Sequence, residues 1–172
     1  MKKNYFYPWA HSKNAYAIDY KKLYDEGYRG IIFDIDYTLV PHNAPALERT
    51  LKLFDYIHSL GFKCVFVSNN NGRRVDWFNE KIGIGVIKSA KKPLPFKMKK
   101  AIEYLDLPNE KIISIGDQIF TDVLGSNLAN VKSILVGRVD KERELHLVLK
   151  SIVEKIILYY YNRSSRGRNI ER

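Results

Sequence analysis

A single cysteine, Cys64, in a chain of 172 residues excludes an intramolecular disulfide, so the fold has to rest on a packed core. Cys64 sits among strand-forming residues and reads as a small core side chain, in keeping with a reducing, cytoplasmic setting. No stretch approaches ~18 uninterrupted apolar residues, which disfavours a membrane-spanning helix. The N-terminal lysines are followed by Tyr, Phe, Pro, Trp and His, without the apolar core and small-residue cleavage site of a signal peptide, so secretion is not expected. Internal repeats and low-complexity blocks are also missing. His11, His58 and His146 lack metal-ligand spacing and are assigned nothing; His42 reads as a surface loop histidine, with contact to a leaving group as the alternative. Acids are scarce: 19 Asp and Glu stand against 29 Lys and Arg, a formal charge of +10. Such a balance steers the chain toward anions without choosing among phosphorylated small molecules, nucleic acid and acidic lipid headgroups. Seven of the 29 bases fall in two runs, Lys97-Lys99-Lys100 and Arg163-Arg166-Arg168-Arg172, which a solvated helix face and a disordered tail explain as well as specific sites do.

With 45% hydrophobic residues the chain can bury one good core, so residues 1–172 read as one domain. An aromatic extension at 1–28, with a short helix near 18–26, precedes it, and a basic tail at 162–172 follows. From Gly30 the pattern alternates: strands at 31–35, 62–67, 84–87, 111–115 and 132–136, and helices near 45–60, 73–82, 95–105 and 119–129, then a long helix from about 141. Continuous apolar strands alternating with helices predict an α/β fold, a doubly wound, Rossmann-like parallel sheet. Ligands of such sheets sit beyond the strand carboxyl ends. The loop from Thr38 to Leu47 is short and only about two dozen residues separate Ser68 from Lys92, so no inserted cap domain is expected and the site should be open.

The chemistry-bearing residues cluster at those strand ends. Ile31-Ile32-Phe33 runs into Asp34-Ile35-Asp36, two carboxylates on the same side of an extended chain, of which one can attack phosphorus while the other handles the leaving-group proton. A second strand ends in Ser68-Asn69-Asn70, where Ser68 can donate to a phosphate oxygen. Lys91-Lys92-Pro93 follows, and a further strand ends in Gly116-Asp117-Gln118, with Thr121-Asp122 just beyond.

Taken in order, these four motifs resemble the haloacid dehalogenase (HAD) superfamily over roughly Gly30 to Gly137. Ser68-Asn69-Asn70, Ala90-Lys91-Lys92-Pro93 and Gly116-Asp117-Gln118 are similar to the YqeG branch of its subfamily IIIA, and so to the mitochondrial phosphatases that dephosphorylate phosphatidylglycerophosphate. The resemblance implies a Mg²⁺-dependent phosphatase acting through an aspartyl-phosphate. Asp34 would be the nucleophile and Asp36 the general acid and base; an acid at position 36 separates phosphatases from dehalogenases. Asp34, the Asp36 backbone carbonyl and Asp117 would hold Mg²⁺. Lys92, picked over Lys91 only by the family pattern, would balance charge. Asp122 would reach the metal through water, orient Lys92, or simply complement a helix N-terminus. Ser68, the backbone amides at Asn69 and Lys92 would bind the substrate phosphate, while Asn69, Asn70 and Arg74 would read the rest of the substrate, unless the asparagines serve as caps.

The long last helix carries Leu145, Val148, Leu149, Ile152, Val153, Ile156 and Tyr160 at helical spacing, a stripe expected to pack on the sheet. Ile157, Leu158, Tyr159 and Tyr161 extend the apolar surface toward the basic tail like an interfacial anchor. The resemblance, together with the open site, the basicity and this helix, implies phosphatidylglycerophosphate as the favoured substrate, with an anionic phospholipid partner and a cytoplasmic enzyme in peripheral contact with the inner membrane face. Two rivals stay open: a phosphatase for nucleic-acid ends or a phosphoprotein, and a binding or assembly module without turnover. The chain shows no stacking motif for nucleic acid.

Overall fold

A computed structural model describes residues 4–139, 145–164 and 168–171, and of 145–152 the helical backbone alone. Six parallel strands form one sheet: β1 (Ala10–Ser12), β2 (Gly30–Phe33), β3 (Lys63–Val67), β4 (Gly85–Ile87), β5 (Ile112–Gly116) and β6 (Lys132–Val136). Their spatial order is β1-β6-β5-β2-β3-β4. From central β2 the chain winds outward through β3 and β4, then returns to β5 on the other side of β2 and continues to β6. This reversal creates a crevice at the carboxyl ends of β2 and β5, where doubly wound sheets bind ligands.

Strand alternation builds two cores. Ile31, Phe33, Cys64, Phe66, Ile113, Ile115 and Ile134 face helices α1 (Tyr20–Asp25), α2 (Glu48–Ser59) and α3 (Gly72–Asn79), whose Leu23, Phe54, Ile57, Val75 and Phe78 are buried against them. Phe33, Phe54, Phe66 and Phe78 form a chain of edge-on ring pairs with centroids 5.2–5.3 Å apart. The alternate residues Ile32, Val65, Val67 and Ile112 face Met98, Ala101 and Leu105 of α4 (Pro95–Leu105). Each of these large side chains contributes roughly 1.5–3 kcal/mol by leaving water, and together they fix the strand ends that carry the polar motifs. Residues 68–92, the span in which a cap would be inserted, form α3, β4 and their turns.

Three expectations need correction. Residues 1–28, in which no strand is expected, supply an edge strand, since Ala10–Ser12 pairs with β6 in register Ala10↔Ile134. The helix expected at 119–129 divides into a π-helical turn, Ile119–Val123, and a short α5 (Leu124–Leu128). The Gln118 carbonyl accepts from both Asp122 N (2.9 Å) and Val123 N (3.2 Å), which widens the turn.

The third correction concerns α6 (Leu145–Arg163). Val153, Ile156 and Tyr160, expected to face the sheet, are 46, 52 and 60% exposed. The inward face is instead Ile157 and Leu158 against Ile119, Val123 and Leu135, with Tyr161 fully buried against Tyr7 and His11. Tyr161 is therefore no interfacial anchor. The side chains of Leu145, His146, Val148, Leu149 and Ile152, and residues Arg166 and Arg172, lie outside the described residues. Of the basic tail, 168–171 is ordered on β1: His11 N donates to Arg168 O (2.8 Å), Asp19 N donates to Ile170 O (3.0 Å), and Ile170 is 1% exposed. Arg168 pairs with Glu26 and lies over the Trp9 ring.

Candidate active site

A polar pocket of about 160 Å³ opens at the carboxyl ends of β2, β3 and β5, lined by Asp34, Asp36, Ser68, Asn69, Lys92 and Asp122 among others. Asp34 follows β2 directly and continues its ladder, its N–H donating to Ile115 O (2.9 Å). Tyr37 then adopts φ +64°, and its N–H donates to Val40 O, folding the chain back in a tight loop that keeps Asp36 on the pocket wall. The turn also aims the Thr38 hydroxyl at Asp34 Oδ2 (3.1 Å) and Asp117 Oδ1 (3.3 Å).

Lys92 is the hub. Its ammonium donates to Asp34 Oδ1 and to Asp122 Oδ1, both at 2.6 Å, and its side chain is 5% exposed. Asn69 Oδ1 accepts the Lys92 backbone N–H (2.8 Å), holding the loop before α4 in place. Burial alone would discharge this lysine; Asp122 and Asp34 overcome it and raise its pKa above the ordinary lysine value. Of the roles open to Asp122, two are seen directly: Oδ1 orients Lys92, and Oδ2 accepts the Gln118 N–H at the start of the turn (3.0 Å). The π-helical turn presents it, and Gly116 makes room: a Cβ there would lie 2.4 Å from the Asp122 carboxyl carbon.

Burial raises Asp34 to about 6 despite the lowering effect of Lys92, with Asp122 adding to the rise. Asp117, whose side chain is fully inaccessible, is pushed up to about 8 by burial and by Asp122 and Asp34, against Arg138, whose Nε donates to Asp117 Oδ2 (2.7 Å). Oxygens of Asp34, Asp117 and Asp122 all lie within 4.8 Å of one another.

Asp36 stands apart from this cluster. It accepts from Asn70 Nδ2 (2.6 Å), Arg74 NH2 (2.9 Å) and Asn43 N (3.1 Å), with His42 Nδ1 at 3.8 Å. Asn70 and Arg74, expected to read the substrate unless Asn70 serves as a cap, are thus spent on Asp36. His42 is a pocket residue, stacked on Tyr37 with ring centroids 5.6 Å apart, and Arg138 covers the same Tyr37 ring. Ser68 is 2% exposed and its hydroxyl accepts from Asn70 N (3.1 Å). Cys64 is buried in the core, its thiol pushed up to about 12, and takes no part.

The structure brings together Asp34, Ser68, Asn69, Lys92, Asp117 and Asp122, as the motifs suggested, with Asp36 beside them. Sequence reasoning missed Arg138 as the partner of Asp117 and Thr38 as the bridge between two carboxylates. The threonine's place two residues after Asp36 was the available signal; Arg138, beyond the end of β6, offered none.

Comparison with known proteins follows the same line. The HAD-hydrolase-like family model matches residues 89–154. Probable phosphatase YqeG of Bacillus subtilis (strain 168) is 40% identical over 137 residues, covering 79% of this chain and 80% of that protein. Phosphatidylglycerophosphate phosphatase 1, chloroplastic/mitochondrial, of Arabidopsis thaliana is 23% identical over 157 residues, covering 82% of this chain but 43% of that longer protein. Among solved structures, D,D-heptose 1.7-bisphosphate phosphatase from B. bronchiseptica, complexed with magnesium and phosphate, superposes with a TM-score of 0.58 at 13% identity, covering 82% of this chain and 91% of that chain. The cobalt-bound deoxy-D-mannose-octulosonate 8-phosphate phosphatase from Haemophilus influenzae gives 0.51 at 14% identity, covering 84% and 94%. At such identities the two structures speak for the fold alone.

Proposed function

We propose a mechanism and a substrate for a chain that belongs to the YqeG family of haloacid dehalogenase-like hydrolases and is, on that membership, a phosphoric monoester hydrolase. In this reading Asp34 attacks the phosphorus of a bound monoester in line and forms an aspartyl-phosphate as the ester oxygen departs. Asp36 gives the departing oxygen its proton and then takes one from the water that cleaves the acyl phosphate, regenerating the Asp34 carboxylate and releasing inorganic phosphate. Ser68 and Lys92 hold phosphate oxygens, and Asn69 sets the Lys92 loop. Asp122 and Asp34 keep Lys92 charged, and Arg74, Asn70 and Asn43 aim Asp36.

The observation that carries this reading is the Lys92 hub between Asp34 and Asp122, beside a separately held Asp36. Charge supports a metal in addition. Ionised together, Asp34, Asp36, Asp117 and Asp122 would be opposed at the site by Lys92, Arg74 and Arg138, one cation short of balance before a dianionic phosphate arrives. A divalent cation offsets the repulsion. Asp34, Asp117 and Asp122 form a hard, all-oxygen set, with oxygens within 4.8 Å of one another, of the donor type that Mg²⁺ prefers. Asp34, Asp117 and the Asp36 carbonyl would hold the ion, with Asp122 at one remove. When bound, Mg²⁺ would neutralise phosphate charge and align the phosphoryl group.

The pocket is open rather than enclosed, so the bulk of a substrate can stay outside it while its phosphoryl group enters. This favours a large substrate over a small, enclosed metabolite. The likeness to phosphatidylglycerophosphate phosphatase 1 makes phosphatidylglycerophosphate the substrate of choice. Phosphate release from that lipid in mixed micelles, from an aryl phosphate and from a 5′-phosphorylated oligonucleotide, each with Mg²⁺ or EDTA, tests the reading. A metal-dependent preference for the lipid is expected; equal, feeble hydrolysis of all three would remove the lipid assignment and leave the phosphatase.

A further inference from the structure

The segment from Lys81 to Ile102 holds seven lysines, at 81, 88, 91, 92, 97, 99 and 100, and no acid. One of them, Lys92, is the centre of the site, and the chain from it leads directly onto the surface. Leu94 and Phe96 follow at 60 and 62% exposure, among the most exposed large apolar side chains described. Two residues span at most ~7 Å of chain, so Leu94 stands next to the pocket wall. The inward face of α4 is already filled by Met98, Ala101 and Leu105, and Phe96 lies off that face. The Lys100 ammonium lies 5.0 Å from the Phe96 ring centroid, and Lys91, Lys99 and Lys100 are exposed around the apolar pair.

We infer that Leu94, Phe96 and the flanking lysines form a docking surface for an anionic phospholipid bilayer, on which the pocket mouth is set down over its substrate. The inference rests on the lipid-substrate reading above and places the membrane contact at the start of α4. Two features select a bilayer. An aliphatic and an aromatic side chain raised from a lysine field can enter the headgroup boundary while the ammonium groups pair with acidic lipids. A nucleic-acid surface would instead interleave bases with stacking aromatics, and this segment has a single aromatic residue, Phe96. Lys88 is paired with Asp76 and Lys92 with Asp34 and Asp122, so the charge complementarity comes from the exposed Lys91, Lys99 and Lys100 beside the apolar pair.

Vesicle co-sedimentation tests this without any substrate. Wild type, Leu94→Ser/Phe96→Ser and Lys99→Gln/Lys100→Gln are mixed with phosphatidylcholine vesicles, with vesicles of phosphatidylcholine and phosphatidylglycerol in equal parts, and with an oligoribonucleotide. The wild type should bind the anionic vesicles alone, and added salt should weaken binding. Each lysine removed should cost about fivefold in affinity, and the apolar double variant about tenfold or more. Aryl phosphate hydrolysis and thermal unfolding of both variants should match wild type, which separates a docking defect from misfolding. Wild-type indifference to anionic vesicles, variants that bind as well as wild type, or tighter binding to the oligoribonucleotide would each overturn the inference. Failure to hydrolyse micellar phosphatidylglycerophosphate would strike the substrate reading, whereas vesicle binding is scored independently.

Discussion

Lys92 Nζ lies 2.6 Å from Asp34 Oδ1, although 58 residues separate them in the chain. The contact joins the end of β2 to the loop before α4 and puts a buried cation beside the proposed nucleophile. It also makes Lys92 structural. Lys92→Met should cost about 3 kcal/mol of stability near neutral pH, because Asp34 and Asp122 lose the cation they share in a buried site. The deficit should shrink in mild acid as Asp34, held up near 6, takes a proton. Urea unfolding at the two pH values measures both effects; equal deficits would show that Lys92 and Asp34 are not coupled.

Metal and protons should compete for the same carboxylates. Without metal, the folded protein holds Asp34 at about 6 and Asp117 at about 8, above the ordinary carboxylate range of the unfolded chain. Between about pH 4 and pH 8 the folded state therefore binds more protons, so stability of the metal-free protein falls as pH rises through that window. Mg²⁺ binds the ionised carboxylates, and its stabilising increment should grow over the same range. Thermal unfolding against pH, with Mg²⁺ or EDTA, should show two curves diverging toward pH 8. Parallel curves would mean that Asp34 and Asp117 do not hold the ion.

Asp36 and Arg74 should separate chemistry from positioning. Asp36→Asn removes the proposed acid and should lower kcat by about 10²–10⁴-fold. Arg74→Ala leaves the carboxyl but removes the 2.9 Å contact that aims it, and a loss of roughly 10–100-fold is expected, mostly in kcat. Arg74 has two further buried N–H groups, Nε and NH1, without hydrogen-bond partners, so its head is held by the ion pair with Asp36 and by the Trp77 and Phe78 rings. A purely KM effect in Arg74→Ala would instead assign it to the substrate.

How legible all this was in the sequence depended on distance along the chain. Asp34 and Asp117 end apolar runs, and an acid at the end of a buried strand stands out against its neighbours. Thr38 and Arg74 carry no such contrast, since a threonine two residues after Asp36 names no partner and an arginine in the first turn of a helix reads as a substrate contact as readily as a clamp on Asp36. Their meaning comes from partners that only the sheet order brings near, as Arg138 meets Asp117 by the adjacency of β5 and β6. β1 is three residues long, too short to show periodicity. α6 offers the opposite problem: Val153, Ile156 and Tyr160 mark one stripe, while Ile157, Leu158 and Tyr161 mark another. Spacing alone does not choose between them, and packing on Leu135 and His11 does.

The ordered end of the basic tail should matter for stability and not for chemistry. Ile170 is buried beside β1, far in sequence from every motif residue. Ile170→Ala should cost about 2–4 kcal/mol while leaving kcat for an aryl phosphate unchanged at a temperature where the variant is folded. Chemical unfolding and steady-state kinetics check the two halves, and an unchanged stability would mean that the tail does not pack on β1 in solution.

The proposal that Asp34 carries the phosphoryl group is tested most directly by acid-quenching the enzyme during turnover with Mg²⁺ and mapping the bound phosphate by peptide mass spectrometry. A hydroxylamine-labile phosphate on the peptide containing Asp34, missing from Asp34→Asn and from EDTA-treated enzyme, is the expected result. Phosphate on another residue, or full turnover by Asp34→Asn, would contradict it.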